Sequence, residues 1–231
     1  MLAADRLIDK GRKIAGHMME AAVNDVIFEN GGFAIAGTDR SVTLAEVAKQ
    51  SFDTAYLPND IEAGFTERAN FGPAGSATFP SGAHLSEVEI DPETGEVALT
   101  RYTAVDDVGR VLNPLLCEGQ IHGGIVQGIG QALMENMVYD PESGQLLSGS
   151  FQDYCMPRAD DFCRFELSNN PTLTGRNPLG VKGVGEAGTL GAIPAVMNAV
   201  NDALTHAGAS AIAPPATPEK LWRAPQAART I

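Results

Sequence analysis

The sequence predicts an α+β fold in which mixed sheets carry packed helices. Two stretches, 26–36 and 84–105, read as tight hairpins, and a further short strand follows at 162–167. Helical periodicity or capping marks 2–22, 41–46, 118–136 and 195–204. Strands and helices of this kind, each formed locally, pack as sheets with helices beside them.

In order along the chain, residues 2–22 form an amphipathic helix. Leu7, Ile8, Ile14, Met18 and Ala22 share one face, opposite Asp5, Arg6, Lys10, Arg12 and Lys13. The first hairpin joins Val26-Ile-Phe28 to Phe33-Ala-Ile-Ala36 through Asn30-Gly-Gly32, a turn pair suited to positive φ. Thr43 with Glu46 three residues on is a capping-box pattern, so a second helix opens from 41. Residues 53–80 lack periodicity and carry Pro58, Pro73 and Pro80; a loop of that length is usually functional or wrapped over something.

The second hairpin turns at Asp91-Pro-Glu-Thr-Gly95. Asp106-Asp-Val-Gly109 and Asn113-Pro114 end its return strand and lead into the helix at 118–136. Tyr139-Asp-Pro-Glu-Ser-Gly144 is another turn. In the last patterned helix Pro194 is expected in the first turn and Gly208 at the exit, with Ile193, Val196, Met197, Val200 and Leu204 as the core stripe. An extended segment over 213–218 precedes a short helical turn with Trp222.

At 231 residues and 44% hydrophobic composition the chain can bury the core of one or two domains. A net charge of -13 argues against nucleic acid or an anionic membrane as partner. Cys117, Cys155 and Cys163 lack C-x-x-C spacing, so neither a disulfide scaffold nor a zinc site is indicated and a reducing compartment, the cytoplasm, is expected. His17, His84, His122 and His206 are scattered and read as surface or core histidines. No apolar leader or membrane-length run is expected.

The most specialised stretch is Asn177-Pro-Leu-Gly-Val-Lys-Gly-Val-Gly-Glu-Ala-Gly-Thr-Leu-Gly191. Five glycines there sacrifice regular structure for close backbone approach and positive φ. A glycine turn before a helix makes an anion site, and Lys182 would add charge; Glu186 would repel such an anion. Gly183, Gly185 and Gly188 also fit the G-x-G-x-x-G spacing of a dinucleotide-binding enzyme. That reading needs a buried strand before the turn and an acidic residue about 20 residues after it, and both are missing. Glu186 is then either a working carboxylate beside a large cofactor or a helix-terminal carboxylate facing the dipole.

On helix 118–136, Gln120, Gly123, Gly124, Gln127 and Gln131 fall within about a quarter of the circumference at about 100° per residue. Ile121, Ile125, Ile129, Ala132 and Leu133 lie largely opposite. The amide-lined side suits a flat polar heterocycle, or is a solvent-exposed face.

Lys182-Gly-Val-Gly-Glu186-Ala-Gly188, with Glu118-Gly-Gln120-Ile-His-Gly-Gly124-Ile-Val-Gln127-Gly128 upstream, resembles the molybdenum hydroxylase large subunit. That family includes xanthine dehydrogenase, aldehyde oxidase and aerobic carbon monoxide dehydrogenase. The resemblance runs from the first helix to Trp222, and implies that residues 1–231 are a partial molybdopterin-binding domain, the C-terminal part of the large subunit.

The resemblance implies that Glu186 is the catalytic base beside molybdenum and that Gln120 lies against the pterin, with Gly123 and Gly124 on the same helix start. Lys182, Gly183 and Gly185 are implied as cofactor contacts by adjacency. The implied cofactor is molybdopterin with molybdenum, in the cytosine dinucleotide form. The pterin dithiolene holds the metal, so no protein metal ligand is expected.

The implied reaction is hydroxylation of an aldehyde, N-heterocycle or similar carbon with water as oxygen source. The implied partners are a separate chain bearing the N-terminal part of the large subunit, an iron-sulfur (FeS) subunit, a flavin (FAD) subunit and a small-molecule substrate. The competing expectation is a non-catalytic fragment or structural module of the same fold.

Overall fold

The computed structural model describes residues 1–72, 75 and 77–228, and the chain divides into two compact units, 1–72 and 73–231. Residues 73, 74 and 76, inside the loop expected over 53–80, lie outside the described residues.

The first unit packs two helices on a small antiparallel sheet. Helix α1 (Leu2–Met18) is followed by β1 (Val26–Glu29), β2 (Gly32–Ile35), β3 (Ser41–Thr43) and α2 (Leu44–Gln50), with sheet order β1-β2-β3. The expected hairpin forms: Asn30 and Gly31 have φ of 48° and 76°, the left-handed pair a two-residue turn requires. Residues 41–43, expected to open the second helix, pair instead with β2, and the helix starts after Thr43. The capping box is present, with Thr43 Oγ1 accepting from Glu46 N and Glu46 Oε2 accepting from Thr43 N. Ile14, Met19, Val26, Phe33 and Val47 form the core of this unit.

The second unit is built on β4 (Ser81–Ile90), β5 (Val97–Asp107) and β6 (Phe165–Asn169). Strand β4 runs antiparallel to β5 and β6 parallel to it, a mixed sheet. Helix α3 (Pro114–Leu133) starts four residues before the expected 118, with Pro114 in its first turn and Asn113 Oδ1 accepting from Leu116 N. Helix α4 (Ala187–His206) starts eight residues before the expected 195, so Pro194 lies inside the helix rather than in its first turn. Helix α4 packs along α3 and β4. Val196, Met197, Val200 and Leu204 are buried as expected, and Ile193 is half-buried. Helix α5 (Pro218–Ala228) carries Trp222.

Two helices meet unusually closely. A Cβ on Gly188 would lie 2.5 Å from Ile121 O and 2.7 Å from Ile125 N, and one on Gly128 would lie 2.7 Å from Ala192 Cβ. Glycine at these positions lets α4 rest on the backbone of α3, over a core of Ile121, Ile125, Ile129, Ala192 and Val196.

Candidate functional site

The stretch before α4 is a loop tied down by backbone and side-chain bonds. Asn177 closes it locally, its amide donating to Val181 O at 2.9 Å and accepting from Val181 N at 3.1 Å. Gly109 and Val181 form a bridge, Lys182 N donates to Val108 O at 2.9 Å, and Arg110 N donates to Gly180 O at 3.0 Å. Lys182 Nζ donates to Asp107 Oδ2 at 2.7 Å. Oδ1 of the same carboxylate accepts from Thr172 N at 2.9 Å and Gly109 N at 3.0 Å. The ammonium, then these two N–H groups, hold the Asp107 carboxyl well below the usual carboxylate range.

The five glycines of this stretch have three different roles. Only Gly180 has positive φ, at 70°. Gly188 admits α3, and Gly191 admits the His84 ring, which a Cβ would overlap. Gly183 and Gly185 are exposed, with no atom within 4 Å of a Cβ position, so the space beside them is open.

Glu186 is the N-cap residue of α4, with φ -101° and ψ -13°. Its side chain caps nothing, is exposed, and has no hydrogen bond or ion pair among the described residues. One turn into the helix, Thr189 Oγ1 donates to Gly124 O at 3.0 Å and lies 3.4 Å from Gln127 Oε1. This contact sets the start of α4 beside the glutamine side of α3. Gln120, Gly123, Gln127 and Gln131 are exposed there, whereas Gly124 is buried against Gly188 and Thr189. Periodicity groups Gly123 with Gly124; packing separates them.

A cavity of about 270 Å³ lies beside Glu186, lined also by Ser81, His84, Asp106, Leu190 and Gly191. His84 and Asp106 carry no motif, and sequence reasoning missed their pairing. The signal that finds them is strand register. Gly82, His84 and Ser86 stand opposite Asp106, Ala104 and Tyr102, so one sheet face carries Tyr102, His84 and Asp106 as diagonal neighbours.

The G-x-G-x-x-G spacing does not sit in a dinucleotide fold. An isolated bridge, not a strand, precedes Gly183, and among the described residues no strand follows α4. Among the described residues no helix is long and apolar enough to cross a membrane.

Residues 1–163 match the family model described as molybdopterin cofactor-binding domain. The chain is 36% identical to the carbon monoxide dehydrogenase large chain of Hydrogenophaga pseudoflava, covering 96% of this chain and 27% of the relative. It is 39% identical to the nicotine 6-hydroxylase large subunit of Paenarthrobacter nicotinovorans, over 91% of this chain and 26% of that one. Among solved structures, reconstituted CO dehydrogenase from Oligotropha carboxidovorans superposes with a TM-score of 0.87 at 32% identity, covering 99% of this chain and 28% of that chain. The chain thus spans about a quarter of the length of the curated relatives it matches. By a family match over most of its length, and by relatives aligned across nearly all of it, the chain belongs to the molybdopterin cofactor-binding domain family of the molybdenum hydroxylases.

Proposed function

We propose that this chain is the portion of a molybdenum hydroxylase that faces the pterin cofactor and supplies the general base, Glu186. The observation that carries the reading is the free, exposed carboxylate of Glu186 at the start of α4, a helix start that Thr189 ties to Gly124 O beside Gln127. A base needs an uncommitted acceptor at a defined position, and this carboxylate is uncommitted.

The donor set fits a flat polar heterocycle. Gln120 offers an amide donor and acceptor, and Gly123 leaves open space beside it. Gly183 and Gly185 leave the loop before Glu186 bare. Lys182 acts through position, its ammonium being committed to Asp107, and Gly124 acts through the α3–α4 packing.

The bound molybdenum-pterin group supplies the two-electron oxidation of the substrate carbon, in which R–H and water give R–OH, two protons and two electrons. Glu186 accepts one of those protons on its carboxylate. The substrate is an aldehyde, N-heterocycle or similar electron-poor carbon, and the cofactor is the cytosine dinucleotide form. A separate chain supplies the upstream part of the large subunit. Iron-sulfur and flavin subunits take the electrons, and a reducing compartment suits the free thiols.

The test is molybdenum content of the chain isolated from its native host, with every co-purifying polypeptide identified. Stoichiometric molybdenum with a larger companion chain supports the reading. A metal-free chain purifying alone supports the second reading, a non-catalytic module of this fold.

A further inference from the structure

Beneath the first turns of α4 lies a chain of three buried side chains that the proposed chemistry leaves unused. Tyr102 is fully buried, and the side chains of His84 and Asp106 are 3% and 4% exposed. Tyr102 OH lies 2.6 Å from His84 Nδ1, and His84 Nε2 lies 3.2 Å from Asp106 Oδ1. An ionised carboxylate only accepts, so Nε2 carries the proton toward Asp106. With the ring neutral, the tyrosine hydroxyl donates to Nδ1. Burial, and secondarily the Asp106 charge, push the Tyr102 phenol far up, which keeps that hydroxyl protonated.

The chain ends in an open acceptor. Asp106 Oδ2 is buried and has no hydrogen-bond partner among the described residues. A polar atom of this kind is normally satisfied by ordered water or a ligand. Asp106 lines the same cavity of about 270 Å³ as Glu186. The pair is also deliberately accommodated: a Cβ at Gly82 would overlap Asp106 Oδ1, and one at Gly191 would overlap the His84 ring.

Two carboxylates on one cavity both accept hydrogen bonds and cannot bond each other while ionised. The smallest molecule that donates to both is water, which has two O–H groups. We propose that Asp106 is a positioning residue for Glu186: its Oδ2 anchors buried water in the shared cavity, and that water restrains the glutamate carboxylate. His84 and Tyr102 fix the Asp106 rotamer so that Oδ2 stays aimed at the water. The inference rests on the reading of Glu186 as the base.

The test uses the molybdenum-loaded protein with whatever companion chains it is isolated with. A crystal structure should contain a water about 2.5–3.0 Å from Asp106 Oδ2, within a hydrogen-bonded path to Glu186. Asp106→Asn should lower kcat by about tenfold or more through a misoriented base, leaving KM and molybdenum content within about twofold. Should Asp106→Asn fail to fold, Gly191→Ala decides, since it displaces the His84 ring without changing any ionisable group and should lower kcat alone in the same way. Absence of the water, an unchanged kcat in the variant that folds, or a loss of molybdenum in step with kcat would overturn the proposal. Full activity in Glu186→Gln would instead remove the base reading, and the water on Asp106 would still be judged by its own density.

Discussion

Lys182 Nζ donates to Asp107 Oδ2 at 2.7 Å across 75 residues of sequence, joining the loop before Glu186 to the end of β5. The same carboxylate also takes backbone N–H groups from Thr172 and Gly109, so one aspartate gathers three segments. Its lowered pKa makes this junction sensitive to acid. A depressed native pKa means the unfolded chain binds the proton more tightly. The contribution is therefore complete above the ordinary aspartate value of about 4 and declines as pH falls from there toward the native value. Denaturant titrations across pH should show Asp107→Asn less stable than the parent near neutrality. The two proteins should converge in acid, and a constant difference at all pH values would remove the electrostatic assignment.

Glu186→Gln keeps size and shape and removes the proton acceptor. In the molybdenum-loaded assembly it should lower kcat by about 10²–10⁴-fold with molybdenum content unchanged. Elemental analysis beside steady-state kinetics separates loss of the base from loss of the cofactor.

Gly188→Ala should be costly although Ala is the better helix former. The added Cβ would fall 2.5 Å from Ile121 O, so α4 must move off α3. Overpacking of this kind costs about 1–3 kcal/mol, readable as a lower denaturation midpoint followed through Trp222.

Gly183→Ala and Gly185→Ala should behave oppositely. Neither Cβ meets an atom within 4 Å, so stability should change by no more than about 0.5 kcal/mol. If this surface faces the pterin, the same variants should hold less cofactor, measured as molybdenum per chain. Unchanged loading would take both glycines out of the cofactor contact.

The elements that local chemistry dictates were legible in the sequence. Asn30-Gly31 specifies its turn, Thr43 and Glu46 specify a cap, and Asn113-Pro114 specify a helix start. The start of α4 was legible only in part: Glu186 could be read as a helix-terminal carboxylate, and it is the N-cap, but the patterned helix was expected only from 195 because Gly188 and Gly191 weaken the helical signal before it. Their purpose appears only when Ile121 and His84 are seen against them. Periodicity likewise gave the direction of the glutamine side of α3 but could not say that α4 covers Gly124. Tyr102, His84 and Asp106 come together through the register of two strands, and no spacing within either strand announces it.

The contact of Gly188 with the backbone of α3 works as a gauge block. It sets how far the start of α4 stands from α3 by the thickness of two polypeptide backbones, not by the rotamers of intervening side chains. Rotamers adjust when a core is repacked; backbone thickness does not. Ile125, Ile129 and Val200 can then exchange for other aliphatic residues of similar volume with the spacing of the two helix starts kept. A single methyl group at Gly188 alters that spacing at once.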